Sequence, residues 1–497
     1  MNIALDKRIT LGLWAVLALS IGRLWLMPLG SSFWVDEMGT AFVVHYGANH
    51  PSFQVAPQVP ASIYYVLPKL FERLFGFSEV AYRVPSIVVM GIALFVIGRL
   101  AARLIHPHAM WFAVFACLAL RDINYEAANA RPYALGACVS AAALWFLVRW
   151  LDRARWIDAA VFWALAALLW RIHLVFWPFY LLLGLYAAVR LWRRDTPVKV
   201  AAVLGVFVVL GAVLVPVLLS ALALIKHAQS HVVAPLPSVR ELVRMIKLPQ
   251  LACCGAAAWL VSRVFQWAPD IPSPAWSSIA LITGYWLCDP LCLFAFSLLT
   301  GDSVFVPRYL SFALPGMALA ATTITARFVP AAAWRPFALI FGVGVLVVMG
   351  HWTQLWPLHH NSDWRRAAQT VNRLEAAGPV PVICPSPFVE AQWPVWRPDY
   401  PLPGFLYSHL DVYRLDGPVY LFPFKESKEA YAYADELAKT TLVPAGKFFI
   451  YGGQGNVRFW QEWFAKQPEF ASWKETRLGP FADVDVEWFQ QDKHRRF

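Results

Sequence analysis

Apolar residues run in long, nearly unbroken stretches along the first 355 positions, with polar residues confined to short clusters between them. Eleven such runs centre near residues 11–28, 84–104, 109–121, 132–149, 157–170, 172–189, 198–224, 249–265, 275–299, 309–326 and 335–355. A helix needs roughly 20 apolar residues to cross a bilayer, so the pattern predicts an α-helical polytopic membrane protein with about eleven transmembrane helices; the runs 109–121 and 157–170 are the short ones. The first run follows Lys7-Arg8 without a small-x-small cleavage motif and reads as an uncleaved span rather than a signal peptide. Beyond residue 357 the pattern changes. Asp363-Trp364-Arg365-Arg366 opens a helix, Val380–Ile383, Val419–Phe422 and Lys447–Tyr451 read as strands, and a polar helix covers 425–439. The chain therefore divides into a membrane domain, 1–356, with a first outer loop over about 29–83, and a small C-terminal α/β domain, 357–497. Gly452-Gly453-Gln454-Gly455 lacks nucleotide-binding spacing and is expected to be a loop.

Composition agrees: 59% of residues are hydrophobic and 15% charged, with a mean hydropathy of +0.51, where a soluble domain carries about 25% charged residues. The 42 Lys+Arg against 31 Asp+Glu leave a net charge of +11. Most of that surplus sits in alternate short loops: Arg99 and Arg103; Arg149, Arg153 and Arg155; Arg190, Arg193, Arg194 and Lys199; Arg263; Arg327 and Arg335. This is the signature of membrane orientation rather than of nucleic-acid binding, and it puts those loops inside if the N-terminus is cytoplasmic. The seven cysteines show no zinc spacing, and the lone Cys384 of the C-terminal part has no disulfide partner there.

The opposite face then receives Asp36-Glu37, the stretch from Arg121-Asp122 through Glu126 to Arg131-Pro132-Tyr133, the Trp170-Arg171-Ile172-His173 turn, Pro307-Arg308-Tyr309, and the C-terminal domain. One acidic loop opposite several cationic ones is the layout that sugar transfer from a lipid phosphate needs. A carboxylate removes the acceptor hydroxyl's proton, and cations hold the phosphate as it gains charge. Asp36 is the candidate base, with Glu37 as its orienting or metal-binding neighbour; an adjacent pair of carboxylates can hold Mg²⁺ or Mn²⁺, and the sequence does not decide whether it does. Arg131 and Arg308 fit either a phosphate-binding or a helix-anchoring role. Arg83 leans to the structural one, and His173 fits a packed interface histidine as well as a site residue. Asp122 and Glu126 fit substrate contacts or pairing with nearby arginines.

At these residues the chain resembles the bacterial GT-C-fold membrane glycosyltransferases related to protein O-mannosyltransferases and to the aminoarabinose transferases of lipid A. The resemblance runs through Trp34-Val35-Asp36-Glu37, Tyr64-Tyr65, Phe75-Gly76-Phe77-Ser78-Glu79, Arg83-Val84-Pro85-Ser86, Ala130-Arg131-Pro132-Tyr133-Ala134-Leu135, His173, Pro307-Arg308-Tyr309-Leu310 with Pro315, and Asp363-Trp364-Arg365. It implies an inverting transferase of the bacterial inner membrane, with its active site and C-terminal domain periplasmic. The donor would be a polyprenyl-phosphate sugar and the acceptor a lipid, a glycan or a protein. It also implies Asp36 as base, Arg131, Arg308 and Arg83 near the donor phosphate, and a cavity that includes Tyr64, Tyr65, Asp122, Glu126, Tyr133, Arg171, His173 and Tyr309. The chain departs from the family pattern at Pro60-Ala61-Ser62, before the tyrosine pair, and at Asn129, where an acidic residue often stands two positions before the arginine. The rival readings are a transporter or flippase, which would place ionisable groups near the bilayer midplane on broken helices, and a polysaccharide ligase or polymerase using a diphosphate-linked donor.

Overall fold

A computed structural model describes residues 3–228, 234–268, 270–376 and 378–492. It separates into two compact units: 1–29 with 62–357, and 30–61 with 358–497. The segment 30–61, read from sequence as part of the first loop of the membrane domain, thus groups with the C-terminal part of the chain.

Each of the eleven apolar runs forms a helix in the first unit. Among the described residues seven helices are long and apolar enough to cross a membrane, or eight if the pair Val239–Met245 and Leu248–Val264, bent by 47°, forms one span. The others are Met110–Leu118, Trp156–Ile172 and Leu314–Thr325. The nine residues of Met110–Leu118 reach only about 14 Å at 1.5 Å per residue, so that helix is covered by neighbours and all but two of its residues are buried. Close helix crossings depend on glycine at specific points. A Cβ on Gly316 would lie 2.4 Å from the backbone of Tyr285 and Trp286, so Leu314–Thr325 meets Trp276–Thr300 backbone to backbone.

Charged groups in this unit collect at helix ends. Asp152, at the end of Tyr133–Arg153, pairs with Arg103 and, at 2.8 Å, with Arg190, which also holds Asp195; Arg149 reaches the buried Asp158 at 3.0 Å. These residues come from three of the loops that share a side in the sequence reading. Two groups lie inside apolar runs instead: Asp289, buried midway along Trp276–Thr300, and Arg23, in the first run. Arg23 is 8% exposed and donates to the carbonyls of Gly350, Leu355, His351 and Gln354 at 2.7, 2.9, 2.9 and 2.5 Å. It thereby satisfies acceptors left over where Trp334–Met349 ends.

The second unit is built on a five-stranded sheet of order β2-β1-β3-β5-β4, with β1 Val382–Pro385, β2 Val419–Phe422, β3 Lys447–Gly453, β4 Trp473–Phe481 and β5 Val484–Gln491. β1 runs parallel to β2 and β3, and β5 runs antiparallel to β3 and β4. Helix Trp364–Glu375 meets one face, where Trp364 touches Tyr451; helix Gln454–Ala465 meets the other, where Phe464 touches Phe448. The expected loop at Gly452–Gly455 is not one. β3 runs to Gly453, and the helix begins at Gln454, whose N–H bonds Asp483 at 2.9 Å. Gly453, extended at φ −65° and ψ 140°, is the residue from which the helix starts directly after the strand.

Replacing Arg23 with Met removes four charge-assisted hydrogen bonds to the segment 350–355. The variant should melt about 3 °C or more below the parent in detergent; an unchanged transition by circular dichroism would show that the contact does not stabilise the fold.

Candidate functional site

In the first unit the short helix Arg121–Ala127 and the two residues after it deliver the polar groups. Glu126 is buried, and its Oε2 accepts from Asn129 Nδ2 at 2.9 Å. The chain then turns, with Arg131 N–H donating to Asn129 O at 2.8 Å, and enters the helix Tyr133–Arg153. Arg131 is therefore placed immediately before a helix N-terminus, where free N–H groups and the helix dipole favour an anion. Arg308 precedes Tyr309 in the 3₁₀ helix Pro307–Ala313, its guanidinium 5.5 Å from the Tyr309 ring. Tyr133, His173 and Tyr309 form a ring cluster with centroids 5.4 to 6.4 Å apart.

Both arginines act electrostatically on the same two groups. Burial pushes Glu126 up to about 8, opposed by the Asn129 hydrogen bond and by Arg131 and Arg308. Burial pushes His173 down to about 3, with Arg131 and Arg308 lowering it further. Burial thus favours the uncharged forms of Glu126 and His173 beside the two arginines. His173 Nδ1 accepts the Val175 N–H at 3.2 Å, which accounts for the histidine as a packed cap.

The other candidates of this unit are distributed around that core. Asp122 pairs with Lys247 at 3.0 Å. Lys247 belongs to the segment 225–248, which the alternation of loops puts on the same face as Arg131, so topology offered a signal for it. Asn124, also unforeseen, accepts from Trp25 Nε1 at 3.0 Å and donates to Leu118 O at 2.7 Å, fixing the short helix. Arg83 is wholly buried and donates to Leu29 O at 2.8 Å, a structural contact. Tyr64 is buried with its hydroxyl 3.5 Å from Ser86 Oγ, Tyr65 is 9% exposed, and Arg171 is exposed at the end of Trp156–Ile172.

Asp36 and Glu37 lie in the second unit, in the first turn of helix Val35–Tyr46. That segment is held by Ser32 Oγ to Ser362 O at 2.9 Å, Phe33 N–H to Tyr413 Oη at 2.7 Å and Tyr46 Oη to Asp411 Oδ1 at 2.8 Å. Glu37 is fully buried, and its Oε2 accepts the Trp34 N–H at 3.3 Å, so it caps its own helix. Asp36 is half-buried. Glu37 Oε2 is engaged in that cap, and among the described residues no three His, Cys, Asp or Glu side chains are arranged to hold a metal ion.

A family model described as dolichyl-phosphate-mannose-protein mannosyltransferase matches residues 59–219. Among solved structures, ArnT from Cupriavidus metallidurans in the apo state is similar over 98% of this chain and 98% of its own, at 14% identity and a TM-score of 0.56. The same protein bound to undecaprenyl phosphate is similar over 97% and 98%, at 13% identity and a TM-score of 0.53. No curated protein matches the sequence. The fold is the GT-C fold, and the family match and the fold together support a membrane glycosyltransferase of that class.

Because the folded-state pKa of Glu126 lies above its ordinary value of 4.5, the folded protein holds this proton where the unfolded chain has lost it. The contribution is fully present below pH 4.5 and is lost as pH rises toward 8. Glu126→Gln should therefore flatten the decline in melting temperature across that window; a decline as steep as the parent's would assign it to other groups.

Proposed function

We propose that the protein transfers a sugar from a polyprenyl-phosphate donor to a hydroxyl group of a lipid, glycan or protein acceptor. The observation that carries the reading is the anion locus of the first unit: Arg131 and Arg308 act on the same buried Glu126 and His173, beside the N-terminus of Tyr133–Arg153. Two guanidinium groups with an uncharged glutamic acid beneath them suit a phosphate that leaves as a dianion. The fold-similar ArnT, solved with bound undecaprenyl phosphate, supports the same donor class, as does the family match over a stretch that contains Arg83, Glu126, Arg131 and His173.

In the reaction Asp36 takes the proton of the acceptor hydroxyl, and the acceptor oxygen forms a bond to the anomeric carbon with inversion. The bond from that carbon to the phosphate oxygen breaks, and the electron pair stays on the polyprenyl phosphate, whose new charge Arg131 and Arg308 offset. Tyr133 and Tyr309 offer hydroxyls and ring faces to the donor. We place the reaction on the periplasmic side of a bacterial inner membrane, the side opposite the basic loops.

The test separates the two roles. Asp36→Asn should lower transfer by about 100-fold or more while leaving binding of undecaprenyl phosphate unchanged. Arg131→Ala or Arg308→Ala should weaken that binding by about tenfold or more. Near-normal turnover in the Asp36 variant would remove it as base, and unchanged phosphate affinity in both arginine variants would overturn the donor assignment.

A further inference from the structure

Outside the anion locus, two short helices of the first unit repeat one pattern of exposed residues. Helix Val66–Phe75 follows the Tyr64-Tyr65 pair and leads into the long membrane helix Glu79–Leu104. Helix Val239–Met245 leads into Leu248–Val264. Val66, Leu70 and Leu74 recur at intervals of four and are 65%, 48% and 63% exposed; Val239 and Val243 repeat the spacing at 68% and 37%. Residues four apart share a helix face, so each helix turns an apolar row outward. Beside each row runs a basic one at the same interval, Lys69 with Arg73 and Arg240 with Arg244, all four exposed.

Neither row is accounted for within the protein. Among the described residues no hydrogen bond or ion pair engages the side chain of any of the four cations. The acids of the same helices are turned elsewhere: Glu72 accepts from the Tyr82 hydroxyl, and Glu241 accepts the Ser238 N–H at 2.6 Å and so caps its own helix. The helix dipole accounts for Arg73 and Arg244, near the C-terminal ends, but opposes Arg240, in the first turn of its helix. At ten and seven residues the helices reach only about 15 and 10 Å. They are too short to cross a bilayer, and their charges keep them out of its apolar core. An apolar row with a basic flank, held at the entrance of a membrane helix, suits a helix that lies in the plane of the interface.

We propose that these two helices form a binding surface for anionic phospholipids, whose acyl chains cover the apolar rows and whose phosphodiesters accept from Lys69, Arg73, Arg240 and Arg244. Charge complementarity selects the headgroup, because a zwitterionic lipid brings an ammonium that the four cations repel. Continuity selects a lipid over a soluble anion. In the helix that follows Val66–Phe75, Val88, Ile92 and Phe95 are about half exposed, so the apolar row of the short helix extends a lipid-facing surface. Lysine and arginine reach the phosphate layer from a half-embedded helix by extending their long stems along apolar surface. The alternation of loops puts both helices on the face that carries Arg131. None of the four cations belongs to the anion locus, and the surface does not rest on the transferase reading.

Native mass spectrometry of the full chain in detergent, titrated in parallel with dioleoylphosphatidylglycerol and dioleoylphosphatidylcholine, tests it. The parent should bind the phosphatidylglycerol about tenfold more tightly or better, with the preference shrinking as ammonium acetate rises from about 0.05 M to about 0.5 M. Lys69→Gln with Arg73→Gln, and Arg240→Gln with Arg244→Gln, should each cut that preference about threefold or more while leaving phosphatidylcholine binding unchanged. All four together should abolish it; if the fourfold variant fails to fold, the two pairs decide. Arg131→Ala with Arg308→Ala should keep the preference, which separates this surface from the donor site. Equal affinity for the two lipids, an undiminished preference in the glutamine variants, or its loss in the Arg131 and Arg308 variant would overturn the proposal.

Discussion

The membrane unit is organised by the cost of leaving an ionised side chain unpaired against lipid. That cost sorts its charges to the two ends of the helices. At one end Asp152 gathers Arg103 and Arg190, and Arg149 compensates Asp158. At the other, the start of Tyr133–Arg153, Arg131 and Arg308 act on a buried acid and a buried histidine. The two ends lie about 30 Å apart along the 21-residue helix, roughly the thickness of a hydrocarbon core. The ends differ in how their charge is compensated. The first is a set of direct ion pairs, whereas in the second burial holds Glu126 toward its uncharged form beside two arginines. A locus of that kind is complementary to an anion that arrives from outside.

The span pattern was legible because lipid imposes it directly: every apolar run is a helix, including the two whose shortness was evident. Arg23 was not. In the sequence it is one charge within an apolar run, and its role becomes visible only when the carbonyls of the segment 350–355 that follows helix Trp334–Met349, more than 300 positions away, are placed around it. The grouping of 30–61 with the C-terminal domain was hidden for the same reason, since it rests on aromatic contacts such as Phe53 with Phe405 at 5.3 Å that no local pattern encodes.

The hairpin of β4 and β5 escaped on different grounds. β4 is exposed along nearly its whole length, so it lacks the alternation that marks a half-buried strand. β5 is buried on both faces along Val484–Glu487, and the carboxylates of Asp485 and Glu487 at those positions read as surface. Of the site, Arg131, Arg308, Glu126 and His173 were legible from their shared face, whereas Lys247 was passed over although it lies on that face.

The departure at Asn129 bears most directly on chemistry. Where the family pattern often has an acid two positions before the arginine, this chain has an amide, and Glu126 stands one helical turn earlier. The turn after Ala127 folds back so that Asn129 Nδ2 reaches Glu126 Oε2 at 2.9 Å. A carboxyl group is thus delivered to the neighbourhood of position 129 from position 126, with the amide as intermediary. The consequence is electrostatic. An ionised acid beside Arg131 would cancel part of its charge toward a phosphate, whereas burial favours the uncharged form of Glu126 and pushes it up to about 8. Under the proposed reading, that buried and hydrogen-bonded acid leaves the charge of Arg131 available to a phosphate.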